Sequence, residues 1–91
     1  MRWVVKVSSD ANDELVALRA YDYARVKNAI RSLETVAALG KVITATVPGW
    51  GEPVRQIRAG DYRIYYSIDD GAVLVHAVRR KGTRTTGEIL R

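Results

Sequence analysis

Three arginines, Arg55, Arg58 and Arg63, fall within nine residues on either side of Gly60-Asp61. Arg79, Arg80, Lys81 and Arg84 form a second basic group further along the chain. A guanidinium stays charged and donates in a planar fork, which suits it to phosphate. Arg55, Arg58 and Arg63 read as lying in two strands joined by a very tight turn, and neighbouring strands are ~5 Å apart. If the strand before Arg79 pairs beside the second of these, both groups converge at one end of a sheet. Such a cluster could do more than bind. When RNA is cut by its own 2′-hydroxyl, negative charge grows on a five-coordinate phosphorus. Fixed arginines aimed at that phosphate favour the transition state over the ground state. No metal is needed, but a proton acceptor and a proton donor are. The competing reading is surface ion pairing with Asp61, Asp69, Asp70 and Glu88. It suits any single arginine better than the group, because residues 53–91 carry eight Lys/Arg against four Asp/Glu.

Other chemistries find little support. There is no cysteine, hence no disulfide, thiolate metal site or cysteine nucleophile. The single histidine, His76, has no zinc-type partner spacing. Asp69-Asp70 reads as a hydrated turn rather than a metal site. Ser32 and Ser67 lack a nucleophile-elbow context, and Gly49-Trp50-Gly51 lacks the strand–loop–helix setting of a phosphate loop. No cofactor and no metal are expected.

The bulk numbers fit these readings. The chain's 91 residues suffice for a single domain, taken as 1–91, with one modest core. The net charge is +5, and residues 1–52 hold only seven Lys/Arg against six Asp/Glu. The excess therefore sits in the C-terminal part and points to an anionic partner: nucleic acid, an acidic protein, or both. No apolar run approaches ~20 residues, so no membrane span is expected. The N-terminus does not read as a signal peptide, and a cytoplasmic location follows as an expectation.

The elements that must position the arginines can be traced along the chain. Trp3-Val4-Val5-Lys6-Val7 reads as a strand. Ser8-Ser9-Asp10 offers caps for a short helix over Ala11 to Arg19, with Leu15 and Leu18 inward. Asp22 reads as the cap of a longer helix whose apolar stripe is Tyr23, Val26, Ile30, Leu33 and Ala37. Gly40 reads as its C-terminal cap. Two helices so close in sequence suggest a hairpin packed on a sheet. Residues 42–46 fit a strand or an ordered loop, and 48–53 are turn material in which Trp50 reads as a packing anchor rather than a base-stacking platform. A β-meander follows: Val54 to Ala59, Tyr62 to Ile68 and Ala72 to Arg79, with Gly60-Asp61 and Asp69-Asp70-Gly71 as turns. Period two puts Tyr62, Ile64, Tyr66 and Ile68 under the helices. Arg63, Tyr65 and Ser67 then fall on the open face. The tail from Arg80 is polar and basic, with room for a last short strand or helix.

The stretch Val54-Arg55-Gln56-Ile57-Arg58-Ala59-Gly60-Asp61-Tyr62-Arg63-Ile64-Tyr65-Tyr66-Ser67-Ile68-Asp69-Asp70-Gly71 closely resembles the central segment of RelE/ParE superfamily toxins. That segment is a basic strand, Gly-Asp-Tyr-Arg, an aromatic strand, an acidic turn and an apolar strand. The N-terminal half agrees in the order of its elements. The resemblance implies an α+β fold: an N-terminal strand, a helical hairpin, then an antiparallel β-meander packed against the helices. It implies a toxin of a type II toxin–antitoxin system, paired with an antitoxin. In the RelE-like branch it implies a ribosome-dependent endoribonuclease acting on mRNA. It places Arg63 at the scissile phosphate and Arg58 on a basic position of the preceding strand. Lys81-Gly82-Thr83-Arg84 resembles a Gly-x-Arg stretch, which puts Arg84 on a second active-site arginine, flanked by Arg80 and Lys81. The sequence departs from the pattern at Leu90, where many members have a tyrosine, and at Gln56, where lysine or arginine is common. Tyr65 or Lys81 would then substitute in proton transfer, ahead of His76.

Three functions compete. The first is an mRNA endonuclease with Arg63, Arg84, Arg58, Lys81 and Tyr65 at the chemistry and Arg55, Arg79 and Arg80 positioning RNA. Its partners are the ribosome, mRNA and a small, acidic, partly disordered antitoxin that folds on binding. The second is a ParE-like inhibitor of DNA gyrase, since a shared fold does not decide function. The third is a non-toxic module kept for antitoxin binding.

Overall fold

The structure is a computed structural model that describes residues 2–44, 47–51, 53–82 and 89. Strand β1 (Val4–Val7) leads into helix α1 (Ser9–Val16) and helix α2 (Ala20–Val36). A 3₁₀ turn (Ala37–Leu39) and a two-residue strand β2 (Lys41–Val42) follow, then β3 (Arg55–Ala59), β4 (Tyr62–Asp69) and β5 (Ala72–Arg80). The five strands form one sheet in the order β1-β5-β4-β3-β2. β1 runs parallel to β5, and every other pairing is antiparallel. This is the expected α+β arrangement.

The helices begin and end for local reasons. Ser8 caps α1 by accepting the Ala11 N–H at 3.0 Å. The helix stops at Val16, short of the expected Arg19, because Arg19 is extended (φ −64°, ψ 156°) to serve as the N-cap of α2. Asp22 is therefore not the cap of α2 but an acid in its first turn, where it favours the positive end of the helix dipole. At the far end Gly40 is not a left-handed cap, since its φ is −64°. Its lack of a side chain matters for another reason. A Cβ there would collide with the Tyr66 hydroxyl and ring. Tyr66 donates to the Ala37 carbonyl at 2.6 Å and so ties the sheet to the end of the helix.

The expected stripe of α2 is the core. Val26, Ile30, Leu33 and Ala37 pack with Ala11 and Leu15 of α1 onto Ile64, Tyr66, Val73, Val75 and Val78. Each buried Val, Leu or Ile among them contributes ~1.5–3 kcal/mol. The β4–β5 connection is the two-residue turn Asp70-Gly71, both with positive φ (47° and 79°), the conformation that matches strand twist.

One irregularity governs the sheet's two faces. Tyr66 pairs with Val75 but Tyr65 pairs with Ala77, so His76 is an extra residue in β5. Before the bulge, Val73 and Val75 face the helices; after it, Val78 does.

The face away from the helices is not open, contrary to the expectation from alternation. Val54, Tyr65, Ala77 and Ile89 form a second small core there, with Ile43 and Trp50 packed against it. The loop at 47–51 and the chain at Ile89 fold over that face, which alternation within β4 could not reveal. Among the described residues no helix is long and apolar enough to cross a membrane.

Candidate functional site

The antiparallel registers create an arginine row. Arg58 of β3 stands directly opposite Arg63 of β4, which stands opposite Arg79 of β5. Opposed residues share a face, so the row crosses three adjacent strands on the side away from the helices. Like charges opposed in this way repel, and each guanidinium answers that in its own manner.

Arg58 is exposed and water screens it. Arg63 is 9% exposed and folds back on its own hairpin. Its Nη1 donates to the carbonyls of Gly60 and Tyr62, both at 3.1 Å. Its buried Nε has no acceptor among the described residues. A buried charged donor left unpaired is costly, so Arg63 is poised to gain from an acceptor that reaches it. Arg79 is held more completely. Its Nε meets Glu14 of α1 at 3.2 Å, its Nη1 donates to the Ile89 carbonyl at 2.8 Å, and its guanidinium lies 5.7 Å from the Trp50 ring centre.

Glu14 is a residue that sequence reasoning missed. It also accepts the Val78 backbone N–H at 3.2 Å. β1 pairs only with residues 72–75 of β5, so the next edge N–H groups lack a neighbouring strand. Glu14 satisfies one of them and fixes Arg79 at once.

A polar cluster borders the row. Trp50 stacks on His76 with ring centres 5.2 Å apart and planes 7° from parallel, and Tyr65 lies 6.2 Å away. Trp50 is thus a packing anchor, as expected. Ser67 Oγ and His76 Nε2 are 2.8 Å apart. Burial pushes the His76 pKa below the ordinary 6.5, and a hydrogen bond to the Trp50 backbone opposes that shift in part. His76 is therefore a neutral ring near pH 7. Among the described residues no cluster of His, Asp or Glu could hold a metal.

The remaining expected site residues divide. Arg55 is on the helix-facing side, contrary to a shared site with Arg63. It donates to the carbonyls of Ala38 and Gly40 at 3.2 and 2.9 Å and so closes the end of the helix. Arg80 opposes Tyr62 and also turns to the helix side, where it pairs with Asp61 at 3.7 Å. The basic groups do converge at one end of the sheet, but on two faces, because adjacent positions on a strand point oppositely. Tyr65 shares the face of Arg63 but is fully buried under the second core, which corrects its expected exposure. Lys81 sits beside the β3–β4 turn, its backbone N–H bonded to the Asp61 carbonyl at 2.8 Å. Gln56 is buried opposite Tyr65. Arg84, Leu90 and the expected last element lie outside the described residues.

A sequence model of the family described as the ParE toxin of the type II toxin–antitoxin system parDE matches residues 5–84. The chain belongs to this family of the RelE/ParE superfamily. It is a type II toxin-antitoxin toxin. Solved structures share its fold. The RelBE2 toxin–antitoxin complex of Mycobacterium tuberculosis includes a chain with a TM-score of 0.74 at 24% identity, covering 88% of this chain and 99% of that one. The archaeal RelE–RelB complex of Pyrococcus horikoshii gives 0.70 at 24%, with 91% and 99% covered. The chromosomal ParDE system of P. aeruginosa gives 0.67 at 15%, with 87% and 96% covered. No curated protein matches the chain by sequence. RelE and ParE chains alike superpose on this toxin, so the fold itself does not choose its target.

Proposed function

We propose that this toxin is a metal-independent endoribonuclease that cuts mRNA on the ribosome. The observation that carries the reading is the cross-strand row Arg58–Arg63–Arg79, with the Arg63 guanidinium fixed and one of its donors unspent. In the reaction the ribose 2′-oxygen attacks the adjacent phosphorus and its proton passes to a base. The bond to the 5′-oxygen breaks, and that oxygen takes a proton. The products are a 2′,3′-cyclic phosphate and a 5′-hydroxyl end. Arg63 and Arg84 would stabilise the charge on the phosphorane, and Arg58 would assist from the next strand. Lys81 is the better substitute for the proton-transfer step, since Tyr65 is enclosed. Arg79 would hold the frame of the site, given its three partners.

The partner in this reading is an acidic, partly disordered antitoxin that folds on the basic surface. The charge asymmetry supports it, as do the toxin–antitoxin complexes among similar structures. The reading also implies a cytoplasmic protein that engages the ribosome and mRNA.

A second reading, inhibition of DNA gyrase, is favoured by the match to the ParE family and by the burial of Arg63. One experiment separates them. Purified toxin is added to a defined mRNA, free or in translation, and new 5′ ends are mapped. The nuclease reading expects codon-phased cuts with 5′-hydroxyl ends only on translated message, lost in Arg63→Ala and Arg84→Ala. Intact message at excess toxin, together with inhibited gyrase supercoiling, would overturn it.

A further inference from the structure

A cleft of about 720 Å³ opens on the helix side of the β3–β4 turn. Its charged and polar lining is Arg19, Arg25, Arg80, Asp22, Asp61 and Tyr62. Three guanidiniums thus face two carboxylates. Arg19 and Arg25 are exposed and make no ion pair within 4.0 Å among the described residues. The Arg80–Asp61 pair is long, at 3.7 Å, and both side chains are about two-thirds exposed (69% and 68%), so water already competes for it. An anion that meets Arg19 and Arg25 therefore displaces no ion pair of theirs among the described residues.

The cleft is tied to the arginine row through a single turn residue. Arg25 lies over Gly60 so closely that its Nη1 would be 2.9 Å from a Cβ there. From the other face, Arg63 donates to the Gly60 carbonyl at 3.1 Å. Guanidiniums thus flank the hairpin tip on both sides, and a charged polymer passing over the tip meets the row and then the cleft.

The geometry points to this cleft as a second nucleic-acid subsite that takes an RNA phosphodiester with its ribose. The arginines supply forked donors for the phosphate oxygens. The two carboxylates decide the class of ligand. Asp22 and Asp61 can accept hydrogen bonds from a ribose 2′-hydroxyl, which DNA lacks. They repel the side chains of an acidic peptide. Tyr62, whose hydroxyl donates to Asp22 Oδ2 at 3.5 Å, adds a ring edge and a hydroxyl to the same wall. The inference concerns binding: RNA held here without cleavage would uphold it and still sink the nuclease reading.

The test is fluorescence anisotropy with full-length toxin and three labelled probes: a 12-nucleotide RNA, DNA of the same sequence, and a glutamate-rich peptide of equal charge. Gels confirm that free RNA stays intact. Wild type is expected to prefer RNA to both other probes. The double variant Arg19→Gln/Arg25→Gln is expected to weaken RNA binding about tenfold and to lower the salt slope by about 2, one for each lost phosphate contact. Asp22→Leu is expected to narrow the RNA-to-DNA ratio, by losing an acceptor and a repelling charge together. Arg19 and Arg25 are exposed, and thermal melts matching wild type verify that the double variant folds. Unchanged RNA affinity in the folded double variant would overturn the inference. So would equal binding of RNA and DNA by wild type. Preferential peptide binding that the double variant loses would overturn it in favour of a protein-docking cleft.

Discussion

The two faces of the sheet are built on opposite terms. On the helix side the contacts are mostly aliphatic, and two polar groups that reach the end of the helix have partners: Tyr66 donates to Ala37, and Arg55 donates to Ala38 and Gly40. On the other side a smaller core of Val54, Tyr65, Ala77 and Ile89 borders a row of arginines, one of which keeps a buried donor without an acceptor among the described residues. One face contributes stability and tolerates little. The other holds charge in place at some cost to stability, a division common where a site must act on a ligand.

Substitutions sharpen or break this contrast. Leu33→Ala, at a fully buried position, is expected to cost about 3–4 kcal/mol in denaturant unfolding, the range for a cavity in a core. Activity per folded molecule should stay near wild type; a large loss at full folding would blur the division. Arg63→Ala should do the reverse. Under the proposed nuclease function, cleavage of translated message is expected to fall about 100- to 1000-fold, the scale for one lost transition-state donor, with a melting temperature within a few degrees of wild type. A collapse in stability with little change in cleavage per folded molecule would make Arg63 a strut of the hairpin.

Glu14→Ala tests the strap between the faces. It removes the acceptor for the Val78 N–H and the partner of Arg79, both at 3.2 Å. The site is partly exposed, so a loss of about 1–2 kcal/mol is expected, with faster hydrogen exchange at Val78. Unchanged exchange there would show that the strap does not hold the edge.

The smallest effect concerns acid. The folded His76 pKa lies below 6.5, so the unfolded chain binds the extra proton first. The His76 contribution to stability is complete above that ordinary value. It declines as pH falls through 6.5 toward the lower folded value. Thermal melts between pH 7.5 and 5 should show wild type losing more stability than His76→Gln as the pH falls below 6.5. Parallel curves would mean that the ring titrates freely.

The sequence was most readable where one rule acted alone. The α2 stripe, the meander and its turns follow from periodicity and turn chemistry, and the structure has them. The helix boundaries moved because Arg19 is already the N-cap of α2, so α1 ends at Val16 with Ala17 as its C-cap. Gly40 looked like a cap, but its real constraint is Tyr66, remote in sequence. For the site, alternation correctly put Arg63 away from the helices. It could not place Trp50 and Ile89 over Tyr65, because that cover comes from chain segments with no pattern of their own. It also separated Arg55 and Arg80 from the row only once the register was known. Glu14 gave no signal, since its role depends on where a neighbouring strand happens to end.

The extra residue in β5 bears on how such a protein could change over generations. Removing the codon for His76 would leave a strand that alternates without interruption: Val75 toward the helices, Ala77 away, Val78 toward them and Arg79 away, each on the face it already occupies. Such a deletion would cost the ring itself, which stacks on Trp50 and meets Ser67. Losing a different residue of this strand while the bulge stays would instead turn everything beyond the gap to the opposite face. The bulge is thus the one place where a three-base deletion spares both faces, and homologous chains that lack it should have a strand one residue shorter with the arginine row intact.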